Sequence, residues 1–355
     1  MLRRRDMMIG MAGALSFGRS AFGEAVTGLY VPPEEGPHER TLMQWPNSRK
    51  VYAERWALDE TKQAIADIAN TIVDFEPVVM LADARMHREM RKLLSDRVEI
   101  WDIPTEDLWC RDSGPLFAVR DGALVVSHLQ FNGWGNKQVH RNDRGVAVRV
   151  ADRLGLDVVS SGLIGEAGGV EHDGHGLLMA HESSWVNKNR NAGLSRDEIE
   201  ARLLAAYGAD RMIWSKGVYN LDITDYHIDS LARFTGAGRV LMNLPSQVDR
   251  NDPFHIAAVE THDALQRAGL SVDVIDEPKW PRAQDDDFVA SYANYYVCNG
   301  AVIAAQFGDS RADARARDAL ERHYPGREVV VLNVDALGYL GGGIHCATQQ
   351  MPKIT

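Results

Sequence analysis

The fold class is decided by residues 55–81, RWALDETKQAIADIANTIVDFEPVVML. The apolar positions of its first two thirds are spaced as on one face of a helix: Leu58, Ile65, Ile68 and Ile72. This spacing predicts a helix over 55–75, and the uninterrupted apolar run that follows at 77–81 is typical of a buried strand. A helix that leads directly into a buried strand indicates an α/β protein.

The same order of elements recurs along the chain. Further helices are predicted over 86–94, 143–154, 195–207, 254–268 and 311–323. Strands are predicted between them, over 98–101, 116–119, 124–131, 158–159, 176–179, 211–214, 231–234, 240–244, 272–275, 290–297, 301–306 and 329–332. The proline-rich segment 30–37 is predicted to lie on the surface. Because no linker of distinct composition separates these units, we expect one domain over 24–355, built from internal structural repeats.

The composition is that of a soluble globular protein, with 45% hydrophobic and 25% charged residues among 355. No apolar run is long enough to predict a membrane span. The formal charge of −11 disfavours nucleic acid and anionic membranes as partners, and it mildly favours cationic small molecules. Three scattered cysteines are too few for a disulfide framework or a zinc cluster. His172 and His175 have no third ligand nearby, so we interpret them as part of a loop and expect no metal.

Residues 1–23 have the pattern of an export signal. Arginines at 3–5 precede a weakly apolar stretch at 7–18 and a small-residue segment at 20–23. The paired arginines resemble a twin-arginine signal, so we expect a periplasmic or secreted protein that begins near Glu24. Removal of this segment, with its four arginines and one aspartate, would change the formal charge from −11 to −14. The alternative is a disordered basic tail on a cytoplasmic protein.

One cysteine is the first candidate for chemistry. Cys346 follows Gly341-Gly342-Gly343-Ile344-His345. Glycines allow close approach of backbone or substrate and permit positive φ, so we interpret Cys346 as a nucleophile. For a cysteine considered alone, a small buried hydrophobic residue is the alternative.

Candidate partners of Cys346 stand in apolar or glycine-rich surroundings elsewhere in the chain: Trp109, Asp112, Glu166, His227, Asp229 and Asn294. In an extended strand residues i and i+2 share a face, so His227 and Asp229 are expected to enter one site. The same rule sends His345 and Cys346 to opposite faces, which favours His227 as the base that serves Cys346. The successive intervals from Asp112 through Glu166, His227 and Asn294 to Cys346 are 54, 61, 67 and 52 residues. Such near-regular intervals are expected if each repeat delivers one polar group to a common axis.

In their order and surroundings these residues resemble the agmatine deiminase and bacterial-type peptidylarginine deiminase family of guanidine-modifying enzymes. The resemblance covers nearly the whole chain after the signal, in the motifs at 37–46, 109–115, 131–135, 166–174, 187–191, 227–229, 291–294 and 341–350. It implies the family's α/β fold, a five-bladed α/β propeller (pentein) with pseudo-fivefold symmetry. Three positions beside the candidate site depart from the family pattern: Ala167, Glu171 and Tyr226.

The resemblance implies hydrolysis of a guanidino substrate without metal or organic cofactor. Asp112 and Asp229 would hold the planar cation in bidentate fashion, and Cys346 would attack its central carbon. His227 would protonate the departing ammonia and then activate water, with Glu166 hydrogen-bonded to it. Two further residues are implied to line the substrate site: Trp109 and Asn294.

The leading expectation for the substrate is agmatine, converted to N-carbamoylputrescine and ammonia, a reaction of putrescine biosynthesis. Deimination of free or peptidyl arginine to citrulline is the close alternative, and it requires a cation for the substrate carboxylate. The candidates for that cation are Lys137, Arg141 and Arg144. An amidinotransferase and a non-catalytic periplasmic polyamine-binding protein are further alternatives, although a binding protein needs no thiol nucleophile.

Overall fold

A computed structural model describes residues 28–285 and 287–354 of the chain. The predicted export signal at 1–23 lies outside the described residues. Within them, seventeen strands form five separate sheets of three or four strands. The strands are β1 (Leu29–Tyr30), β2 (His38–Gln44), β3 (Val78–Ala82), β4 (Glu99–Asp102), β5 (Leu116–Arg120), β6 (Ala123–Gln130), β7 (Val158–Ile164), β8 (Val170–His172), β9 (Leu177–His181), β10 (Arg211–Ser215), β11 (Ala232–Phe234), β12 (Arg239–Leu244), β13 (Ser271–Asp276), β14 (Tyr296–Cys298), β15 (Ala301–Ala305), β16 (Glu328–Leu332) and β17 (Thr348–Pro352).

The same part of the chain contains ten α-helices, five of them single turns. The helices are α1 (Arg55–Ile72), α2 (His87–Met90), α3 (Cys110–Ser113), α4 (Gly133–Asn136), α5 (Val146–Leu154), α6 (Glu182–Trp185), α7 (Arg196–Tyr207), α8 (Pro253–Arg267), α9 (Ser310–His323) and α10 (Asp335–Gly338). The longer helices α1, α5, α7, α8 and α9 each connect two parallel strands, a connection that requires a crossover segment.

Each sheet contains one copy of the same unit. A first strand pairs antiparallel with a second, the second pairs parallel with a third, and a long helix joins the second to the third. The units are β17-β2-α1-β3, β5-β6-α5-β7, β8-β9-α7-β10, β11-β12-α8-β13 and β14-β15-α9-β16. The recurrence of helix and strand in the sequence corresponds to these five units. In the first unit, β17 returns from the far end of the chain to pair with β2.

Several predicted elements are present with the expected residues. Residues 55–81 form α1 and β3, and the apolar face of α1 is buried. The predicted hairpin within 116–131 is formed by β5 and β6. The predicted helix 195–207 is α7, which begins after Ser195. The Ser195 hydroxyl accepts a hydrogen bond from the Glu198 N–H, a pairing that stabilises the start of a helix.

The predicted strand 290–297 is mostly a loop, because β14 begins only at Tyr296. Ser291 Oγ accepts a hydrogen bond from the Ala293 N–H at 3.1 Å. A side chain that satisfies nearby backbone competes with the strand ladder. Asn294 therefore lies in the loop that precedes β14.

Apolar side chains form four buried clusters between the sheets and their helices. The largest joins α1 and α9 to the strands beside them, so that two of the five units share one core. From residue 28 to 354, position 286 aside, no helix combines the length and the apolar composition needed to span a membrane.

Candidate active site

The candidate residues lie in the segments that precede the first strand of each unit. Asp112 stands in α3 before β5, and Glu166 precedes β8. Asp229 precedes β11, Asn294 precedes β14 and Cys346 precedes β17. Side chains from these separate units are in hydrogen-bond contact with one another. The repeated unit thus supplies one functional segment per sheet.

A cavity of about 560 Å³, here called the front cavity, reaches the candidate nucleophile. Its wall includes Trp109, Asp112, His227 and Cys346. The remaining predicted residues lie directly behind that wall, in contact with its members: Glu166, Asp229 and Asn294. All of the predicted site residues are therefore brought together.

The Cys346 thiol lies between an amide and a carboxylate. Its Sγ accepts a hydrogen bond from Asn294 Nδ2 at 3.0 Å and donates to Asp229 Oδ2 at 3.3 Å. Burial, reinforced by the charges of Asp229 and Asp112, raises the pKa of the thiol well above its usual value. The buried carboxylates thus favour the neutral thiol, and a bound cation would favour the thiolate.

The glycines before Cys346 are required for close packing. A Cβ on Gly342 would lie 2.6 Å from the ring of Trp109, and a Cβ on Gly343 would lie 2.6 Å from Asn294 Oδ1. Both distances are too short for a side chain. Trp109 and Asn294 can therefore approach the nucleophile only because these positions carry no side chain.

The two candidate guanidinium-binding carboxylates differ in their partners. Asp112 Oδ2 accepts a hydrogen bond from Trp134 Nε1 at 2.8 Å, and Oδ1 accepts one from the Gly168 N–H at 3.3 Å. Burial raises the pKa of Asp112 to about 6, although the nearby His227 opposes this shift. Asp229 is fully buried, and its Oδ1 has no hydrogen-bond partner among the described residues. An unpaired buried carboxylate oxygen is suited to receive a donor from a ligand.

His227 lies between two acids. Its Nε2 is 3.3 Å from Glu166 Oε2, and its Nδ1 is 3.7 Å from Asp112 Oδ1. Burial alone would lower the pKa of His227, but Asp112 and the hydrogen bond to Glu166 raise it to about 9. The imidazole is therefore cationic at neutral pH.

Glu166 is held by an arginine that the sequence analysis did not assign. Arg190 Nε donates to both carboxylate oxygens of Glu166, at 3.1 and 2.9 Å, and its Nη1 donates to Asp225 Oδ2 at 2.7 Å. Burial would raise the pKa of Glu166, yet Arg190 and His227 together lower it. The motif 187–191 contains this arginine, but nothing in the local sequence shows its partner.

The expected geometry of the His227 and Asp229 pair is wrong, although both residues reach the site. They do not lie on an extended strand: His227 precedes a 3₁₀ turn over Ile228–Ser230, and Asp229 is in that turn. Tyr226 and Asp225 have positive φ, 67° and 60°, which bends the chain just before the turn. A turn rather than strand alternation therefore presents the two side chains.

His345 contacts the site from the opposite side to Cys346. Its Nδ1 donates to Asp229 Oδ2 at 2.7 Å, and its Nε2 lies 3.0 Å from Glu34 Oε2. His345 does not line the front cavity but a second, small cavity of about 20 Å³. The prediction that His345 and Cys346 face different directions fits this arrangement.

His345 belongs to a buried ionic group, here called the rear cluster, whose members are Glu34, Arg111, Glu171, Arg233 and His345. Glu34 accepts hydrogen bonds from Arg111 Nη2 at 2.8 Å and from Arg233 Nη2 at 3.0 Å. Burial opposes the charged form, but Arg233, His345 and Arg111 hold the pKa of Glu34 well below its usual range. Glu34 is only 7% exposed, so the predicted surface location of 30–37 is wrong at this position.

The front cavity is acidic. Besides Asp112, its wall contains the carboxylates of Asp222, Asp252, Glu277, Asp285 and Asp287. None of the described residues that line it is a lysine or an arginine. Lys137, a candidate for a cation that meets a substrate carboxylate, instead pairs with Asp225 Oδ2 at 2.8 Å. The other two candidates, Arg141 and Arg144, are not among the lining residues either.

The structure shows His172 at the end of β8, while His175 lies in the turn that leads to β9. Asp173 Oδ1 accepts hydrogen bonds from the N–H groups of His175 and Leu177, at 2.8 and 3.0 Å. The predicted loop is the turn of the hairpin between β8 and β9, although His172 itself is the last residue of β8. In the described part of the chain no group of three or more His, Cys, Asp or Glu is arranged to hold a metal ion.

Known proteins resemble this chain over nearly its whole length. Residues 30–352 match the family model of the Porphyromonas-type peptidyl-arginine deiminases. The agmatine deiminase of Stutzerimonas stutzeri is 32% identical over 358 residues, which cover 92% of this chain and 96% of that protein.

Solved structures of known enzymes also resemble this chain over most of its length. The agmatine deiminase of Enterococcus faecalis has a TM-score of 0.85 and 25% identity, and the match covers 92% of this chain and 97% of that one. A dimethylarginine dimethylaminohydrolase shares the fold, with a TM-score of 0.50, 13% identity, and coverage of 88% and 100%.

Fold and site together define a mixed α/β hydrolase that acts on carbon–nitrogen bonds, the enzyme class that the sequence predicts. The chain belongs to the Porphyromonas-type peptidyl-arginine deiminase family. The resemblance noted in the sequence is thereby confirmed. The alternative of a non-catalytic polyamine-binding protein gains no support from these matches.

Proposed function

We propose that the protein hydrolyses agmatine to N-carbamoylputrescine and ammonia. The observation that carries this proposal is the charge of the front cavity, whose described wall has six carboxylates and no lysine or arginine. Agmatine carries an ammonium group at the end opposite its guanidinium, and carboxylates attract both ends. Free arginine carries a carboxylate beside its α-ammonium at that end, so the net charge there is zero and the acidic wall attracts it less than the agmatine ammonium. The agmatine deiminases among the similar proteins support the same substrate.

The guanidinium would be held between Asp112 and Asp229. A planar cation with several N–H groups suits two carboxylates, and the unpaired Oδ1 of Asp229 leaves one acceptor free for it. Because Asp229 also contacts the Cys346 sulfur, a guanidinium bound between the two carboxylates would have its central carbon beside the thiol.

Binding of the cation would create the nucleophile. The two carboxylates that raise the thiol pKa would be offset by the guanidinium, so Cys346 would lose its proton to solvent water as the substrate enters. The thiolate would attack the central carbon to form a C–S bond. Asn294 Nδ2, which donates to the sulfur, would help to stabilise its negative charge.

His227 would act first as acid and then as base. Already protonated, the imidazolium would give its proton to the leaving nitrogen, which departs as ammonia and leaves an amidino-thioether on Cys346. The neutral imidazole would next take a proton from water, which attacks the same carbon. Collapse of this adduct breaks the C–S bond and yields the carbamoyl product. Glu166, held by Arg190, would keep His227 oriented through the cycle.

Deimination of peptidyl arginine is the second candidate. The front cavity of about 560 Å³ has room for more than agmatine, and the family model that matches the chain is that of peptidyl-arginine deiminases. A peptide with a C-terminal arginine would still bring a carboxylate to the acidic wall.

Ammonia release from three substrates tests the proposal: agmatine, free arginine and a peptide with a C-terminal arginine. We expect turnover of agmatine with the highest kcat/KM, and none with Cys346→Ala, a loss on the order of 10⁴-fold or more. Release of ammonia from the peptide alone would reverse the choice of substrate. No release from any of the three would refute the deiminase function. Mass spectrometry of the acid-quenched reaction should show the amidino adduct on Cys346.

We also propose that the five units surround a common axis as the blades of a five-bladed α/β propeller with pseudo-fivefold symmetry. The five sheets of one repeated unit, and the contacts among the segments that precede their first strands, support this arrangement. A crystal structure in which successive units are related by unequal rotations would contradict it.

For location we propose export through the twin-arginine route, based on residues 1–23. N-terminal sequencing of protein recovered from the periplasm or medium should begin near Glu24. Cytoplasmic protein that retains Met1 would contradict export.

A further inference from the structure

The side chain of His345 reaches the site through its hydrogen bond to Asp229. It is not among the residues that line the front cavity, and no hydrogen bond joins it to the Cys346 sulfur. Its Nδ1 donates to Asp229 Oδ2 at 2.7 Å, the carboxylate oxygen that also accepts from the thiol. The other oxygen, Oδ1, is left without a partner in the described chain.

Both ring nitrogens of His345 face carboxylates. Nε2 lies 3.0 Å from Glu34 Oε2 and 3.9 Å from Glu171 Oε1, while Nδ1 faces Asp229. An imidazole can donate from both nitrogens only when both are protonated. The contacts therefore call for the cationic form of His345.

The rear cluster holds the imidazole ring in place. Glu34 is itself fixed by Arg111, Arg233 and the Val297 N–H, which donates to Oε1 at 2.9 Å. His345 is 2% exposed, so its ring cannot turn toward solvent without leaving these partners. The hydrogen bond to Asp229 is thus made by a rigid cation.

A fully buried carboxylate without a cation would take up a proton, because burial disfavours its charge. Burial would raise the pKa of Asp229, but the hydrogen bond and charge of His345, together with the charges of His227 and Arg233, lower it. The cation occupies one oxygen only. The other oxygen, Oδ1, is left as a buried acceptor without a partner among the described residues.

We propose that His345 is a positioning residue that keeps Asp229 ionised and leaves one of its oxygens directed to the guanidinium. This inference rests on the proposed function for its effect on substrate, since Asp229 is taken to bind the guanidinium. It also predicts an effect on the thiol that needs no substrate. If His345 is replaced by a neutral side chain, the pKa of Asp229 rises, and its charge then opposes a thiolate at Cys346 less strongly.

The test uses His345→Gln, which lacks the donor near Nδ1, and His345→Asn, whose amide can replace that donor without its charge. His172→Asn is the matched control, because His172 lines the same small cavity without contacting Asp229. We expect His345→Gln to raise the KM for agmatine roughly tenfold or more. The rate of Cys346 alkylation by iodoacetamide should rise, with its pH profile displaced to lower pH. His345→Asn should be intermediate on both measures, and His172→Asn should match the wild type.

Weaker substrate binding together with a more reactive thiol is a combination that general loosening of the site does not predict. An unchanged KM, or an alkylation rate that is unchanged or slower in both His345 variants, would overturn the proposal. If the wild type released no ammonia from agmatine, the proposed function would fail, and the alkylation profiles would still decide the role of His345. Thermal unfolding identifies a variant that does not fold, and the milder His345→Asn then supplies the comparison.

Discussion

The front cavity and the rear cluster both contain buried carboxylates, but the pKa values of these carboxylates are shifted in opposite directions. In the rear cluster Glu34 meets Arg111, Arg233 and His345, and these cations hold its pKa well below the usual range. At the front, burial raises the pKa of Asp112 to about 6. One region has paired its charges within the protein, whereas the other has an excess of negative charge. We infer that the rear cluster stabilises the fold and that the front cavity is completed by a cationic ligand.

Among the variants that compare the two regions, the largest effect should come from Asp112→Asn, which removes negative charge from the front cavity. We expect kcat/KM for agmatine to fall on the order of 10²–10³-fold, because the guanidinium loses one of its two carboxylates. The melting temperature should stay the same or rise, since the variant removes a buried acid that lies near Asp229 and Glu166. Ammonia assays and thermal unfolding measure the two quantities. A clear fall in the melting temperature would show that the buried charge of Asp112 also stabilises the fold, which would contradict the difference inferred between the two regions.

Glu34→Gln should have the reverse outcome for stability. It leaves two buried guanidinium groups and an imidazolium without their shared counter-charge, and breaking a buried ion pair costs about 3–5 kcal/mol. Urea unfolding measures this loss. Glu35→Gln is the matched control, because Glu35 lines the same small cavity but makes no ion pair among the described residues. Equal stability of the two variants would show that the rear cluster does not stabilise the fold.

The pH dependence of kcat/KM should have two limbs, one set by the ionisation of Asp112 and the other by the deprotonation of His227. Asp112 must be ionised to attract the guanidinium, so activity should fall as the pH drops below about 6. His227 must be protonated to deliver a proton, so activity should fall as the pH rises above about 9. Each limb should approach a slope of roughly tenfold per pH unit. An acid limb that is unchanged in Asp112→Asn would contradict the assignment.

The smallest effect is expected at the wall of the front cavity, in Glu277→Gln. Partly solvated charges contribute little, so KM for agmatine should rise only about two- to fivefold with kcat unchanged. The difference should shrink in high salt, which screens such charges. Glu60→Gln, an exposed position on α1 outside the cavity, is the control for the change in net charge. A higher kcat/KM for arginine in Glu277→Gln would sharpen the link between the acidic wall and the choice of substrate.

The candidate reacting groups, which the structure brings together, could be selected from the sequence because each stands in a short motif. Cys346 follows three glycines, and His227 and Asp229 stand two residues apart, so local sequence identifies them even where the expected strand is in fact a turn. The α/β class and the repeats follow from the alternation of helix and strand patterns. These features depend on neighbours along the chain, which a single sequence shows directly.

The supporting groups could not be predicted, because their partners are far away in the sequence. Glu34 and Arg233 are 199 residues apart, and the proline-rich surroundings of Glu34 indicate a surface segment rather than a buried ion pair. Arg190 belongs to the same unit as Glu166 but lies 24 residues away, in the loop between α6 and α7. Ion pairs between residues that are distant in the sequence form only in the folded chain, and no local sequence pattern predicts them.

The pairing of β17 with β2 has a consequence for when the enzyme becomes active. Cys346 lies two residues before β17, and β17 is anchored on a strand that was synthesised more than three hundred residues earlier. His227 and Asp229 belong to a unit that is complete well before Cys346 leaves the ribosome. A nascent chain therefore contains His227 and the candidate carboxylates before it contains Cys346. The candidate site is complete only once β17 has been synthesised and has paired with β2.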